Sequence, residues 1–473
     1  MRLAHLLILT FALAVPARTR LGAQVRLADA LARADDAAIA NRVATAQRDA
    51  ARAQTLAPLR GILPAVRAEA GYVRTTDPIG AFGTALRQRR VTPADFAPDK
   101  LNYPDVASNY TGALVLEVPL VNADAWIGRR AATNAAASAS AASRWTRQAT
   151  RADVVRAYYG AVLAGARVRA LTAASASAAA HVKQAKSALA AGLVTPSDAM
   201  LASVKAGELD AELASARGDV ITARRGLGVL LGYDDGRLVE PADSLATPSA
   251  LRAFAATDTL GTLGGGEASG SHDAPGTRDD VIAARDGASA AAADAMRARS
   301  LVLPRLNSFA RYDWNDAARL FANDKNWTVG VMATWSPFTG GSEIAERRTT
   351  EARAAAARAM ADGAAMAAGF DAARATTDVH VALERLAIAE RSATQSTDAH
   401  RIVTRRYEGG LASVVELLDA AAAETGTFVA LDKARYDVTV ALSARRLAIG
   451  LDPGSIGTIN DKTPSRSSED SHQ

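Results

Sequence analysis

Two periods of apolar and polar residues alternate along this chain. In residues 64–72 and 109–118 the period is two. Val66, Ala68, Ala70 and Tyr72 share one face against Arg67, Glu69 and Gly71, and Tyr110, Gly112, Leu114, Leu116 and Val118 oppose Asn109, Thr111 and Glu117. The pattern returns later. Leu306, Ala310, Tyr312 and Trp314 alternate with Arg305, Asn307, Arg311 and Asp313, and then Trp327, Val329, Val331, Ala333 and Trp335 with Thr328, Gly330, Thr334 and Ser336. Such alternation predicts four half-buried strands, two of them ended by Pro119 and Pro337. After each strand pair the pattern becomes helical and Ala/Arg-rich, over about 122–191 and 341–408, followed by shorter helices over about 197–231 and 413–449. At about 1.5 Å per residue, roughly 68 residues make a rod on the order of 100 Å long. Helices of that length need lateral partners, as in a coiled-coil assembly. Residues 26–62 predict a helix broken near Pro58, and Pro78, Pro93, Pro98 and Pro104 mark a loop carrying the basic residues Arg87, Arg89 and Arg90.

The stretch from Tyr407 to Ala420 reads as the tip of a helical hairpin. Gly409 and Gly410 stop one helix, since glycine reaches positive φ without steric cost. Ser413 offers an N-cap to the next, with Glu416 at the capping-box position three residues on. Glu416 and Asp419 lie i,i+3 on one face. Gly192-Leu193, with Thr195 as N-cap, Pro196 at the first helical position and Asp198 opposite Glu416, repeats the tip at an offset of 218 positions. The offset holds without gaps for Pro119 and Pro337, Arg129-Arg130 and Arg347-Arg348, and Gly232 and Gly450. A fixed offset over that distance is an internal duplication.

Composition narrows the reading. The chain has 473 residues, 5% aromatic, and no cysteine, which excludes disulfides, thiol chemistry and cysteine-based zinc sites. The six histidines are scattered, with no metal-ligand spacing. No nucleophile–base pair or phosphate loop is visible, so neither an enzymatic activity nor a cofactor is expected. The net charge of +5 includes Arg2, Arg18 and Arg20 in a segment without acids, and carries no argument for nucleic acid. That segment, residues 1–23, has the form of a secretory signal ending near Ala23. No stretch reaches the roughly 18 uninterrupted apolar residues of a spanning helix, so a membrane location requires a β-barrel.

The expected organisation is a first structural repeat over 24–232, an equatorial segment or linker over 233–276 with Gly261–Gly276 as a mobile connector, a second repeat over 277–452, and a disordered polar tail over 453–473. Four strands of about ten residues with aromatics toward their ends match a transmembrane barrel, although a soluble half-buried hairpin shows the same period. Four strands cannot close a barrel, for which about eight is the minimum. A barrel must therefore be shared between chains; three copies supply twelve strands over a helical tube. The alternative of a different class is a periplasmic coiled-coil scaffold with soluble hairpins.

At this point the chain resembles the TolC-like outer-membrane efflux proteins. The resemblance spans nearly all of the chain after residue 23, and rests on Trp335-Ser336-Pro337-Phe338-Thr339-Gly340-Gly341 at a strand-to-helix junction, Gly192-Leu193-Val194 with Ser197-Asp198, Tyr407 through Ala420, and Leu63-Pro64 and Leu303-Pro304 before the strands. It implies an α+β membrane protein of TolC type: a homotrimer with four transmembrane β-strands per chain, a twelve-stranded barrel in outer-membrane lipid, and a long periplasmic α-helical barrel. It further implies an outer-membrane channel that passes small molecules from an inner-membrane pump and a periplasmic adaptor (membrane fusion) protein to the exterior, or alternatively a type I protein secretion channel. By the same resemblance Tyr407 matches a gate tyrosine, Asp198 the aspartate it hydrogen-bonds across helices when shut, and Glu416 and Asp419 an acidic pair at the narrowest point. Gly192, Leu193, Gly410 and Leu411 match adaptor-contacting turns. Ala412 stands where the best-known member carries an arginine that helps lock the gate. As alternatives from the residues alone, an acid three positions past an N-cap serves the helix start, and a tyrosine near a helix end serves packing.

Overall fold

The computed structural model describes residues 24–192, 194–234, 236–263, 278–322, 324–457 and 459; the expected leader, residues 1–23, lies outside them. The chain begins extended, Val25 bridging Pro241, and forms α1 (Leu27–Ala37) and α2 (Ile39–Gln54). The break in the predicted 26–62 helix lies at Ala38, with φ −59° and ψ 132°, while Pro58 falls in a 3₁₀ turn over Ala57–Gly61. The cause is tertiary, because alanine is no breaker. Asn41 Nδ2 donates to the Ala34 carbonyl across the bend at 2.9 Å. Gly232, at φ +74°, passes so close that a Cβ there would stand 2.4 Å from the Ala37 carbonyl oxygen.

β1 (Ala65–Thr75) leads into the proline-marked loop. The loop is not irregular throughout: it holds α3 (Pro78–Arg87) and α4 (Pro98–Asn102). In each the proline opens the helix instead of breaking it, since its missing N–H would be unpaired there anyway. Asp77 caps α3 by accepting from Gly80 N at 2.6 Å. β2 (Ala107–Val121) returns, followed by α5 (Ala123–Ala190), α6 (Pro196–Leu230), α7 (Pro248–Leu263), α8 (Asp279–Ser300), β3 (Arg305–Asp316), β4 (Asp324–Thr334), α9 (Ser342–Glu408) and α10 (Val414–Ala448). Shifted by 218 positions, α6 coincides with α10 end to end.

The four strands form one antiparallel sheet in the order β1-β2-β3-β4. Its register aligns Val66 with Leu116, Ala310 and Val329, and Ala68 with Leu114, Tyr312 and Trp327. This face is apolar and exposed, Trp327 at 71%. The other face holds the ions: Arg311 reaches Glu69 at 2.9 Å and Asp313 at 2.8 Å, Arg67 lies 3.6 Å from both Glu69 and Glu117, and the buried Asn109 and Asn315 pair at 2.9 Å. An exposed apolar face backed by one that carries the charges suits lipid outside with a polar lumen inside. β1 and β4 each leave one edge unpaired.

The helices pack as two hairpins, α5 with α6 and α9 with α10; α8 lies against α5 and α9, α2 against α5, and α10 against α5 and α6. Buried positions in α9 fall at Ala354, Ala361, Ala368, Ala375 and Ala382, and those in α5 include Leu171, Ala178 and Ala185. This is a seven-residue repeat, the period of left-handed supercoiling, with alanine knobs that let the helices approach closely. The largest core is equatorial. It joins Leu27 and Leu31, Val154, Tyr158 and Val162, Leu227 and Leu231, Leu251, Leu386, Val438, Leu442 and Ile456. The Tyr158 hydroxyl lies 2.7 Å from both the Val25 carbonyl and the Asp243 carboxylate and accepts from the Ala242 and Asp243 N–H groups. Burial, and next Asp243, raise its pKa.

Two expectations change here. Residues 453–457 are not tail but a 3₁₀ turn with Ile456 buried in the equatorial core, and Ser443 Oγ donates to the Pro453 carbonyl at 3.2 Å. Within 233–276, Val239, Leu245 and Leu251 are buried and α7 continues to Leu263. The rest of the expected connector, 264–276, and the tail from 460 lie outside the described residues.

Candidate gate at the helical tips

Both hairpin tips are built by the same chemistry. Gly192 and Gly410 have φ +71° and +73°, each with open space around it. Their N–H groups donate to Leu189 O and Tyr407 O at 3.0 Å, closing the preceding helix. Thr195 and Ser413 are N-caps in extended conformation. Asp198 N donates to Thr195 Oγ1 at 3.3 Å while Thr195 N and Oγ1 donate to Asp198 Oδ2 at 3.1 and 2.8 Å. Glu416 N donates to Ser413 Oγ at 3.2 Å, and Ser413 N reaches Glu416 Oε1 at 3.4 Å. Asp198 and Glu416 therefore serve as capping-box acids within the chain. Leu411 projects from the second tip, 74% exposed; Leu193 lies outside the described residues.

Behind the tips, the two hairpins meet in a small apolar cluster. Val414 and Leu418 of α10 are buried with Ala178 and Ala185 of α5 and Ala202 of α6, and Tyr407 packs against them. Among the described residues no hydrogen bond joins Tyr407 to Asp198 within one chain. The tyrosine's ring is placed by packing and the aspartate's carboxylate is turned to Thr195.

Asp419 has a partner that the sequence reading missed. Lys205 Nζ on α6 lies 3.5 Å from Asp419 Oδ1 on α10 and 3.6 Å from Glu208 on its own helix. In sequence Lys205 looks like half of an ordinary i,i+3 surface pair; only the adjacency of α6 and α10 exposes its second role. Ala412 carries no charge, and the cation that Asp419 meets comes from the other hairpin, on Lys205.

Farther from the tips, α9 and α10 are pinned by polar side chains. Ser396 and Thr427 hydroxyls pair at 2.5 Å, and His400 Nδ1 lies 2.5 Å from Glu424 Oε2. Burial raises the Glu424 pKa, but hydrogen bonds from His400 and Thr397 outweigh it and hold the carboxyl below its usual range. At the 218-shifted positions the first hairpin carries Ala178, Leu209, Val182 and Ala206, all apolar. His400 and Glu424 line a cleft of about 420 Å³ between the hairpins, with His181 across it. Among the described residues no cluster of three or more His, Asp or Glu side chains is placed to hold a metal, and no helix is long and apolar enough to cross a membrane.

Comparison with known proteins agrees with this architecture. The family model described as "Outer membrane efflux protein" matches residues 22–233 and 271–451. A membrane protein from Pseudomonas aeruginosa superposes with TM-score 0.72 at 23% identity, covering 91% of this chain and 93% of its own. The Campylobacter jejuni CmeC outer membrane channel gives 0.72 at 15% identity over 92% and 88%. The Vibrio cholerae outer membrane protein VceC gives 0.70 at 20% over 90% and 96%. No curated protein matches the sequence significantly.

Proposed function

The chain belongs to the outer membrane efflux protein family, and we propose that it works as a homotrimeric outer-membrane channel in a tripartite export system, loaded by an inner-membrane pump through a periplasmic adaptor. The observation that carries the reading is an open sheet, apolar and exposed on one face, running directly into helices of about 100 Å whose outer seams are vacant. Each vacant seam duplicates a filled one. β2 pairs with β3 inside the chain, so β4 has its counterpart partner in β1 of a neighbouring copy. α8 covers α5, so α2, whose Ile39 and Val43 are exposed, has its counterpart partner in α9 of a neighbour. An edge left open in lipid costs several kcal/mol per unsatisfied backbone group, and three copies remove every edge.

We take 24–232 and 277–452 as the duplicated units and assign the gate to the tips. Glu416 and Asp419 would form stacked acidic rings favouring cations, with Lys205 offsetting part of the Asp419 charge. The Tyr407 hydroxyl would bond Asp198 when the entrance is shut. The turns at Gly192-Leu193 and Gly410-Leu411 would meet the adaptor. The reading is tested by fractionation and by size in detergent. A detergent-dependent outer-membrane trimer whose deletion sensitises cells to toxic small molecules supports it, and a soluble periplasmic monomer overturns it.

A further inference from the structure

The link between His400 of α9 and Glu424 of α10 is not needed to hold a hairpin of this length. At the 218-shifted positions α5 and α6 carry Val182 and Ala206 and pack together all the same. The polar pair is therefore left to be explained by its surroundings. Those are the cleft of about 420 Å³ between the two hairpins, inside the size range of small-molecule sites. Leu209, Leu418 and alanines of α5 and α10 line it, and Phe428, 45% exposed, adds an aromatic face.

Charge selects the occupant. Glu424 is the one acid in the lining, no lysine or arginine joins it, and the remaining titratable groups there are His400 and His181. An ionised carboxylate offers about four acceptor sites, of which His400 and Thr397 take two. Apolar walls lower the local dielectric and strengthen its attraction for a matching cation, and an aromatic face adds to that attraction. A metal ion is disfavoured, because among the described residues no three ligating side chains converge. We propose that the cleft is a binding site for a hydrophobic organic cation, an aryl-bearing primary ammonium, with its nitrogen on the Glu424 carboxylate and its ring against Phe428 and Leu418. The site occurs once per chain, since the 218-shifted positions of Glu424 and Phe428 are Ala206 and Asp210. It uses the hairpins of a single chain and so stands apart from the trimeric reading above.

The probe is 2-naphthylmethylammonium, titrated by calorimetry into the detergent-solubilised protein, with the heat of mixing into detergent alone subtracted. Neutral 2-naphthylmethanol and anionic 2-naphthoate present the same ring without the positive charge. The expected result is saturable binding of one ammonium per chain, about tenfold or more tighter than either analogue, as a hydrogen bond to a charged group implies. E424Q should lose about tenfold in affinity for the ammonium and bind it no better than the alcohol. F428A, which leaves every charge in place, should lose about threefold. If E424Q does not fold, the three probes on the parent and F428A still decide. Equal binding of ammonium and alcohol by the parent, undiminished binding by E424Q, or the absence of saturable binding overturns the proposal. A monomeric particle that still binds the ammonium at one site overturns the trimeric reading instead and upholds this one.

Discussion

Lys205 and Asp419 stand 214 positions apart in sequence and face each other at 3.5 Å across the seam between α6 and α10. Both side chains are about half exposed, 42% and 58%, so the pair belongs to the class worth about 0–1 kcal/mol, up to roughly a fivefold shift in an equilibrium. Reversing one charge should therefore loosen the closed entrance measurably without unfolding the hairpins. K205E is expected to raise closed-state conductance about twofold to fivefold, and the swap K205D/D419K to bring it back. A swap no tighter than K205E would remove the pair from the gate.

Tyr407 separates packing from hydrogen bonding. Its ring rests on the alanine cluster inside one chain, while its hydroxyl is assigned to Asp198 in the shut trimer. Y407F keeps the ring and is expected to raise closed-state conductance modestly; Y407A loses both contributions and should raise it more. Equal conductance of Y407F and the parent would leave the tyrosine a packing role alone.

The turn at Gly410 is held by backbone conformation, since the space around it is open and only φ +73° restricts the residue. A side chain there costs on the order of 1–2 kcal/mol. G410A should speed proteolytic nicking at the tip, and G410N, which tolerates left-handed geometry better, should do so less. Equal nicking rates for G410A, G410N and the parent would count against a strained turn.

Glu424 gives the pH dependence. Its carboxyl is held below the usual 4.5 by His400 and Thr397, so the stabilisation is fully present above that value and is lost as pH falls through the lowered one. H400A should destabilise the protein at about pH 6 by about 1.5–3 kcal/mol, the scale of a hydrogen bond to a charged group. The gap should close in acid once Glu424 is protonated. A gap in thermal unfolding that persists unchanged however far the solution is acidified would contradict the assignment.

How far the sequence carried this structure depends on the range of the interaction concerned. Gly410 and Ser413 announce their turn locally, and α10 runs from Val414 to Ala448 beside an expectation of 413–449. The strand faces followed from alternation alone, and Trp327 and Val329 lie on the exposed apolar face as expected. Local signals failed where distant contacts decide. The bend at Ala38 answers to Asn41 and Gly232, the 3₁₀ turn at Pro453 to the equatorial core, and Lys205 to a helix more than two hundred residues away. The helices α3 and α4 were hidden for a different reason: proline ends helices and also begins them, and Asp77 was the overlooked cap.

The central claim is that one chain holds a third of a closed wall, and its sharpest test is the strand register between copies. Leu63-Pro64 and Leu303-Pro304 set β3 240 positions after β1, so Ser308 is the counterpart of Ala68 and Tyr312 that of Tyr72. Ala68 pairs with Leu114 and Ser308 with Val331, which makes Val331 the counterpart of Leu114 in strand pairing, one position short of the 218 offset, and Leu114 pairs with Tyr312 within the chain. The duplication therefore places Val331 of one copy opposite Tyr72 of the next. A single-particle structure of the detergent-solubilised protein should show twelve antiparallel strands in a closed ring, with Val331 and Tyr72 paired across each of three junctions and both side chains on the lipid face. A monomer, an open sheet, or a junction in which β4 does not meet β1 of a neighbour would contradict the account.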